Sequence, residues 1–417
     1  MRRPSASAVY YGLEFLLSTP TWVVVSLYLV RDLDLSPLQL VLMGTAMEAA
    51  VFLFEVPTGV VADTYGRKLS LVIGFLGMGI AWLLVGVVSD AWLIIALWAV
   101  WGVAYTFTSG AYEAWITDEV GVERIPVVFM RGARIAYAGA LFGLAVSVLI
   151  GTQSLRAAVI AGGAVSIVCG LGCILLMSET GFRRRPAAER AGPLTELRTT
   201  ALRGGRFVRA QPVLLMLLGI GFFIGAASEA FDRLKEAHFL REIGLPTIGD
   251  LDAVVWFGGF AAVAMLFGFF ALGALQRRFE RKGTGSIARL LFVFTAATAA
   301  AQLVFALTGG AFVAVVALLA AMLARQIVGP LWDIWVNQQI TDSSVRATVN
   351  SITGQADAVG QAAGGPVLGA IGNGFGTGAA LAAGALLLTP ALALYARAIR
   401  HGGREPELEE LPAGAAP

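Results

Sequence analysis

The chain has 417 residues, of which 57% are hydrophobic and 14% are charged. Soluble globular domains contain about 25% charged residues, so this chain has too little polar surface to cover a water-soluble fold. Its formal net charge of +2 argues against a nucleic-acid-binding protein, and its two histidines are too few for a metal site. The composition predicts an integral membrane protein, for which we expect no metal and no cofactor.

The first 30 residues begin with a basic segment and continue as an apolar stretch. Secretory signal peptides share this pattern, but their apolar core has about 7–15 residues and is followed by a cleavage site of small residues. The apolar stretch here is longer, and no clear cleavage site follows it. We therefore interpret it as the first membrane span.

Apolar runs of the length needed to cross a bilayer, about 20 residues, recur along the chain. Backbone polar groups must be paired inside a membrane, which leaves helices or closed barrels. The alternating pattern of barrel strands is missing from this sequence, so we expect helices throughout. The twelve predicted spans, numbered 1 to 12, cover residues 8–30, 38–62, 69–88, 91–117, 131–151, 157–178, 213–232, 253–275, 286–307, 311–335, 347–371 and 377–397.

The distribution of basic residues indicates how the spans are oriented. Lys and Arg favour the cytoplasmic side, and most of the 30 lie at the termini or next to connections that follow even-numbered spans. This bias predicts that both termini are cytoplasmic and that the protein lies in the cell membrane. The basic residues assigned to the other side are Arg31, Arg156, Arg233, Lys235 and Arg241.

The longest connection is rich in arginine and divides the spans into six plus six. We interpret it as a basic cytoplasmic linker, for which a surface helix over 193–209 is one possibility. The expected organisation is a six-helix bundle at 1–178, the linker at 179–212, a second bundle at 213–400 and a disordered cytoplasmic tail at 401–417. We expect a monomer in the lipid bilayer.

Two short sequence matches relate the halves of the chain. YEAWITD at 112–118 in span 4 matches WDIWVNQ at 332–338 in span 10, and GVVADTYGRK at 59–68 matches GALQRRFERK at 273–282. Both matches link a span with the span six further along, on the same side of the membrane. Parallel duplications of this type are found in secondary transporters.

Three features together resemble the major facilitator superfamily: twelve spans, a long basic middle connection, and the pattern G-x-x-x-D-x-x-G-R-K at 59–68. The resemblance covers nearly the whole chain. It implies an all-α membrane fold of two pseudo-symmetric six-helix bundles that transports by alternating access. Within the superfamily, EVPTGVVAD at 55–63 and SGAYEAW at 109–115 resemble bacterial drug-efflux members, which are drug:proton antiporters.

The polar turn after span 2 is a candidate cytoplasmic gate. Gly59 and Gly66 permit close backbone approach and a tight reversal of the chain. Asp63 lies at the C-terminal end of its helix, where the helix dipole disfavours an acid. The resemblance implies that Asp63 instead faces the start of span 11, near Ala347 and Thr348.

Basic residues extend this candidate gate. Arg67 can reach the end of span 4, where Asp118 is its predicted partner, and Arg131 and Arg134 at the start of span 5 complete a charged cluster. Exposed ion pairs contribute about 0–1 kcal/mol each, a strength that suits a protein whose states differ by only a few kcal/mol. In the alternative interpretation, Arg67 and Lys68 only fix the orientation in the membrane.

Ionisable residues inside spans are costly and point to function. Glu48 and Asp357 are the deepest acids, and Arg325 needs one of them as a partner because an unpaired buried guanidinium is untenable. Span 7 is expected to end near Asp232, because four charges follow closely there. The resemblance implies that spans 1, 4, 7 and 10 line the cavity, which adds Glu14, Glu113, Glu229 and Asp333 as candidates.

A proton-coupled transporter needs a buried carboxylate that binds and releases the proton. For each candidate acid a fixed ion pair or a helix cap is the alternative role. The acids predicted to include the coupling site are Glu48, Glu113, Glu229 and Asp357.

Glycines and aromatic residues predict close helix packing and a substrate cavity. In span 11, two small-x-x-x-small pairs predict tight helix contacts: Gly360 with Gly364, and Gly365 with Gly369. The G-G-P-x-x-G pattern at 364–369 resembles an antiporter motif that the superfamily carries in span 5. Aromatic side chains of spans 1 and 4 suit a bulky apolar or cationic substrate. They are Tyr10, Tyr11, Phe15, Trp22, Trp101, Tyr105, Phe107, Tyr112 and Trp115.

No phosphate-binding loop of the form G-x-x-x-x-G-K-[ST] is present, which argues against an ATP-driven pump. No pattern of catalytic residues supports an enzyme. The leading hypothesis is a proton-coupled exporter of a small amphipathic organic compound. The alternatives are a symporter that imports a small nutrient and a non-transporting membrane receptor of the same fold. The importer is suggested by Gln338, Gln339, Gln355 and Gln361.

Overall fold

The computed structural model describes residues 4–20, 22–182, 212–246, 249, 251–282, 287–339 and 346–401, which contain helices and no strands. In the first half, α1 is Ala6–Leu17 and continues after a break as Trp22–Leu27 and the π-helical Tyr28–Asp32; α2 is Pro37–Tyr65, α3 Arg67–Val85, α4 Ala91–Thr106 and Ala111–Val120, α5 Ile125–Gly151 and α6 Leu155–Leu176. In the second half, α7 is Pro212–His238 followed by the π-helical Phe239–Ile243, α8 Ala253–Lys282, α9 Ile287–Leu307, α10 Ala311–Gln339, α11 Arg346–Phe375 and α12 Thr377–His401.

Eleven of these helices are long and apolar enough to cross a membrane. The remaining one, α11, has 30 residues but a more polar composition, and it packs against α7 and α2. The prediction of an all-α membrane protein with twelve helices is confirmed.

The packing of the helices repeats between the halves. The contacts α1–α5, α2–α4 and α3–α6 of the first half return as α7–α11, α8–α10 and α9–α12 in the second. This is the parallel pseudo-symmetry that the two sequence matches predict. The predicted linker falls largely within residues 183–211 and the tail within 402–417, both outside the described residues, so their roles stay predictions.

A third repeat, which the sequence analysis missed, lies at the ends of α1 and α7. YLVRDLDL at 28–35 matches HFLREIGL at 238–245. Both stretches begin with a π-helical turn and end near a residue with positive φ, Asp34 at 47° and Gly244 at 81°. A non-glycine residue at such a φ is uncommon, so the shared backbone shape identifies the two turns as equivalent.

The arginines of this third repeat each reach across to the other half. Arg31 Nη1 lies 3.0 Å from Asp252 Oδ2, which precedes α8. Arg241 Nη2 lies 2.8 Å from Asp34 Oδ1 and also donates to the carbonyls of Val30 and Leu35. We call the side of the bundle that carries these pairs the opposite face. The side that carries Gly66 and Gly121 is called the basic face.

Apolar packing also joins the halves towards the opposite face. Each half has its own cluster of buried apolar side chains, and a larger cluster extends across both halves. This shared cluster includes Leu27 and Leu40 of the first half and Phe239 and Phe305 of the second, all fully buried. These four residues lie near the helix ends at the opposite face, so this conformation is closed there.

The glycines of α11 allow the closest helix contacts. A Cβ atom on Gly360 or Gly364 would meet the backbone of α7 at Phe222 or Ala226. On Gly365 or Gly369 it would meet Thr45 or Leu38 of α2, in the other half. The tight contacts predicted for both glycine pairs are therefore present, and α11 connects the two halves.

Several predicted helix bounds are wrong: span 1 breaks between Leu17 and Trp22, α5 begins at Ile125 and α8 continues to Lys282. Two further differences concern the candidate site. Span 7 does not end at residue 232, since α7 with its π-helical turn continues to Ile243. The charged residues that suggested a loop are instead part of this helix, where partner side chains pair with them. Span 4 is not continuous, because α4 breaks between Thr106 and Ala111, with Gly110 at a φ of 68°.

The packing of α11 predicts a difference between two identical substitutions. Gly360→Ala should destabilise the protein by about 1–3 kcal/mol, the usual cost of overpacking, because its Cβ would stand 2.1 Å from the Phe222 carbonyl oxygen. Gly354→Ala is the matched control, since no described atom lies within 4 Å of its added Cβ. Thermal unfolding in detergent measures both. Equal stability of the two variants would contradict this packing.

Candidate functional site

The candidate gate at the basic face contains the ion pair that the sequence predicts. Arg67 Nε lies 2.9 Å from Asp118 Oδ2, and both side chains are partly buried. Gly66, between α2 and α3, has a φ of 121°, a conformation that side chains with a Cβ rarely adopt. Because α3 and α4 both belong to the first half, this pair stabilises the turn within that half.

Lys68 also acts within the first half. Its ammonium group donates to the carbonyls of Ile174 and Met177 and so caps the end of α6. Its backbone N–H donates to Glu179 Oε1 at 2.9 Å. The same carboxylate lies 2.9 Å from the position of a Cβ on Gly66, so glycine there leaves room for Glu179 to bind the start of α3.

Glu119, which the sequence analysis missed, extends this arrangement. Its carboxylate accepts hydrogen bonds from the Ser178 hydroxyl and from the backbone N–H groups of Thr180 and Gly181. The residues that follow α6 are thereby attached to the end of α4. The sequence shows an acid next to Asp118 in a polar helix end. It does not indicate the partners of this acid, because they lie 59 residues or more away along the chain.

The remaining candidate gate residues lack the contacts that were expected. No described atom lies within 4 Å of a Cβ on Gly59, so the predicted close approach is not found among the described residues. Arg131 and Arg134 are exposed, and neither belongs to an ion pair in the described part of the chain. The expected counterpart of Asp63 is the start of α11 near Ala347 and Thr348, whose side chains the structure does not describe.

An aromatic cavity of about 390 Å³ lies within the first half. Of the predicted aromatic residues, Trp22, Trp101, Tyr105 and Tyr112 line it. Trp82 and Phe75 of α3 also line it and were not predicted, because isolated aromatic residues in an apolar helix form no pattern. The other lining residues are Leu17, Pro20, Met78, Thr108, Ser109, Glu113 and Ser166.

The described lining of the aromatic cavity holds an acid and no base. Glu113 is its one charged residue, and two further acids lie close by. Glu14 lies nearby and interacts with the hydroxyls of Tyr10 and Tyr112. Glu55 accepts a 2.7 Å hydrogen bond from the hydroxyl of Ser109, another lining residue. None of the three acids pairs with a Lys or Arg among the described ion pairs.

A second cavity, of about 570 Å³, lies between the halves, and we call it the charged cavity. It is lined by α7 and α10 on one side and by α1 and α2 on the other. Its basic residues each have an acid nearby: Arg325 with Asp232, Lys235 with Glu236 at 3.1 Å and Arg233 with Glu229 at 3.7 Å. Trp22 lines both cavities.

The predicted partners of Arg325 are wrong. Its guanidinium makes two hydrogen bonds of 2.7 Å to the carboxylate of Asp232, and its charge also lies over the ring of Phe231. Asp232 was not considered because span 7 was expected to end there. A bidentate pair of this kind fixes both position and orientation of the guanidinium.

The other candidate acids are divided between the two cavities and their surroundings. Asp357 accepts a 2.7 Å hydrogen bond from Gln361, which lines the charged cavity. Glu48 is partly buried on α2 and interacts electrostatically with Arg233 and Asp357. Asp333, the repeat mate of Glu113, is exposed and lines neither cavity.

Comparison with known proteins identifies relatives of this chain. A model of the Major Facilitator Superfamily matches residues 7–365. YxaM of Bacillus subtilis (strain 168), an uncharacterized MFS-type transporter, is 24% identical over 276 residues. That match covers 65% of this chain and 64% of YxaM, slightly less than two thirds of the relative.

Solved structures with low sequence identity share the fold. The nucleoside transporter NupG has a TM-score of 0.72 at 13% identity, covering 96% of this chain and 98% of NupG. A bacterial homologue of the human lysosomal transporter Spinster, in an inward-facing and occupied conformation, has 0.71 at 15% identity, covering 95% of each chain. The peptide transporter POT in complex with sulfate has 0.73 at 14% identity, covering 96% of this chain and 95% of that one.

At these identities the structural likeness shows the fold alone, while the family match extends over most of the chain. Both agree with the twelve helices and the repeated packing described above. This chain therefore belongs to the major facilitator superfamily of membrane transporters.

Proposed function

We propose that this protein is a secondary active transporter that exports a small, amphipathic, positively charged organic compound in exchange for protons. The observation that carries the proposal is the aromatic cavity, whose described lining holds an acid and no base. Aromatic faces attract cations with about 0.5–2 kcal/mol each. A neighbouring carboxylate adds a charge-assisted contact. Apolar lining residues accommodate the rest of the substrate.

Exchange follows from a shared binding site. A carboxylate such as Glu113 or Glu14 can hold a proton or neutralise a cationic substrate, but it cannot do both at once. Binding of one therefore displaces the other, and release of protons to one side is linked to loading of substrate there. With protons flowing inwards across a cell membrane, the substrate moves outwards.

Alternating access requires contacts that close one face at a time. The pairs Arg31–Asp252 and Arg241–Asp34 join the halves at the opposite face, where the structure is closed. We assign closure of the basic face to Asp63 against α11, with Arg67, Asp118 and Lys68 holding the α2–α3 turn in place. The excess of Lys and Arg at the basic face favours the cytoplasmic side, and a monomer suffices for this mechanism.

Import of a polar nutrient is the second candidate function. Gln326 and Gln361 line the charged cavity, and their amides suit hydrogen bonding to a polar substrate. The solved structures of similar fold include a nucleoside transporter and a peptide transporter, so the fold is compatible with either direction.

Purified protein in proteoliposomes with an imposed pH gradient distinguishes these functions. A panel of organic cations and neutral analogues of similar size would be applied, with internal pH recorded by a fluorescent dye. Exchange predicts that a cation on the substrate-loading side drives protons in the opposite direction, and that neutral analogues do not. Co-directional movement would support the importer, and no movement with any compound would support the receptor.

Replacement of Glu113 tests the aromatic cavity. Glu113→Gln should raise the half-saturating concentration of a transported cation about tenfold or more, the effect of losing a charge-assisted hydrogen bond of about 1.5–3 kcal/mol. Equilibrium binding of the cation to purified protein in detergent measures it, because a variant without this carboxylate has no proton to exchange there. Glu123→Gln, an exposed acid that lines neither cavity, is the control and should behave as the unmodified protein. An unchanged half-saturating concentration in Glu113→Gln would place the substrate elsewhere.

The pair Arg325–Asp232 predicts a non-additive effect on stability. Arg325→Gln or Asp232→Asn alone leaves one charge without its partner, which is more costly than removing both. The double variant should therefore recover about half or more of the loss in thermal midpoint caused by either single change. Thermal unfolding in detergent gives all four midpoints. If the two losses simply add, the residues do not act as a pair.

A further inference from the structure

Arg233 lies on α7 of the second half, but its contacts reach into the first half. The centre of its guanidinium is 5.2 Å from the centroid of the Trp98 ring on α4. Its own helix provides Glu229 one turn earlier, with Arg233 Nε 3.7 Å from Glu229 Oε2. That distance is too long for a hydrogen bond, so the guanidinium is held by charge and by stacking on Trp98.

Gly44 of α2 makes room for the Glu229–Arg233 pair. A Cβ on Gly44 would stand 2.3 Å from Glu229 Oε2 and 2.7 Å from Arg233 Nε. Only glycine therefore allows the pair to lie against α2. Glu48, one helical turn further along α2, interacts electrostatically with Arg233. Gly44, Glu48 and Trp98 thus form a socket in the first half, which we call the Arg233 socket.

The charged groups around Arg233 come from several helices. Asp232 also acts on it, but this carboxylate already makes two hydrogen bonds to Arg325 of α10. Asp357 of α11 is hydrogen-bonded to Gln361, and Lys235 pairs with Glu236. Glu229 and Glu48 are therefore the counter-charges on which Arg233 depends, one in each half.

We propose that Arg233 is a positioning residue that links the charge of Glu48 and Glu229 to closure of the opposite face. While both acids are ionised, Arg233 stays in its socket and joins the halves beneath the opposite face. When they are neutralised, the guanidinium loses its counter-charges and leaves Trp98 for the charged cavity, because an unpaired cation is costly inside the bundle. That the acids are neutralised by a coupled proton rests on the proposed function. The contact of Arg233 with its socket, which joins the halves, does not.

The contact between Arg233 and Trp98 also connects the Arg233 socket to the aromatic cavity. Trp98 packs against Trp22, with ring centroids 5.4 Å apart, and Trp22 lines both cavities. A substrate that moves Trp22 therefore acts on the surface that holds Arg233. Substrate binding and acid neutralisation thereby meet at one side chain.

Distance measurements across the opposite face test the joint without any substrate. Nitroxide labels on Ser89→Cys and Gly309→Cys, exposed positions in different halves, would report the separation by electron–electron double resonance. The two native cysteines, both buried, would first be replaced by alanine. Arg233→Gln should lower the ratio of closed to open molecules about fivefold or more, the range of a coupling between sites. Arg233→Lys keeps the charge without the flat stacking surface, so its ratio should lie in between.

Gly44→Ala tests the socket while every charge is kept. Its Cβ displaces the pair from α2, so the closed population should fall as in Arg233→Gln. Gly259→Ala is the matched control, because no described atom lies within 4 Å of its added Cβ, and it should leave the distances unchanged. An unaltered distribution in Arg233→Gln or Gly44→Ala, or an equal shift in Gly259→Ala, would overturn the proposal.

A double-variant comparison separates this role from a general loss of structure. Glu48→Gln combined with Glu229→Gln should open the face as Arg233→Gln does, and adding Arg233→Gln to that protein should cause little further change. Independent, additive shifts would contradict the link. These distances are measured without transport. They can therefore support the role of Arg233 in closure even if the proton-flux assay disproves the proposed exchange. Likewise, the flux assay can support exchange even if the distances disprove the role of Arg233.

Discussion

A charge inside an apolar helix bundle must have a partner, and this requirement organises the centre of the protein. Arg325, halfway along α10, is held by two short hydrogen bonds from its guanidinium to Asp232. That pair fixes α7 against α10. It also leaves Arg233, the next residue, to find its counter-charges elsewhere, in Glu229 and across the interface in Glu48. The strongest ion pair of the second half thus determines which charge is left to contact the first half.

Contacts between the halves differ in strength with depth. At the opposite face, Arg31 and Arg241 form ion pairs that are at least partly exposed, and exposed pairs contribute about 0–1 kcal/mol each. Beneath them, apolar side chains such as Leu40 and Phe305 make a shared core. The glycines of α11 allow this helix to lie close to α2. In the proposed mechanism, opening of this face must break all of these contacts together. Weak polar pairs add little to the cost of separating the shared apolar core, which helps to keep the two proposed states close in free energy.

The sequence predicts the helices better than it predicts their partners. Apolar runs identified the twelve spans. The polar turn after span 2 identified the pairing of Arg67 with Asp118. The partner of Arg325 was missed because Asp232 stands among several charges that resemble a loop. Inside the fold those charges pair with one another and the helix continues. The Trp82 side chain was missed because its role depends on neighbours from other helices.

Different residues at equivalent positions of the repeat account for the different chemistry of the two cavities. The YLVRDLDL and HFLREIGL match places Asp232 at the position equivalent to Trp22, and the YEAWITD and WDIWVNQ match places Arg325 at the position equivalent to Tyr105. Where one half has a bidentate ion pair, the other has two aromatic side chains that line the aromatic cavity. The packing repeats between the halves, whereas residues at equivalent positions differ. This difference agrees with the proposed binding of an organic cation in the first half and with ionisable groups in the second. Trp22 lines both cavities, so in the proposed mechanism it connects the two.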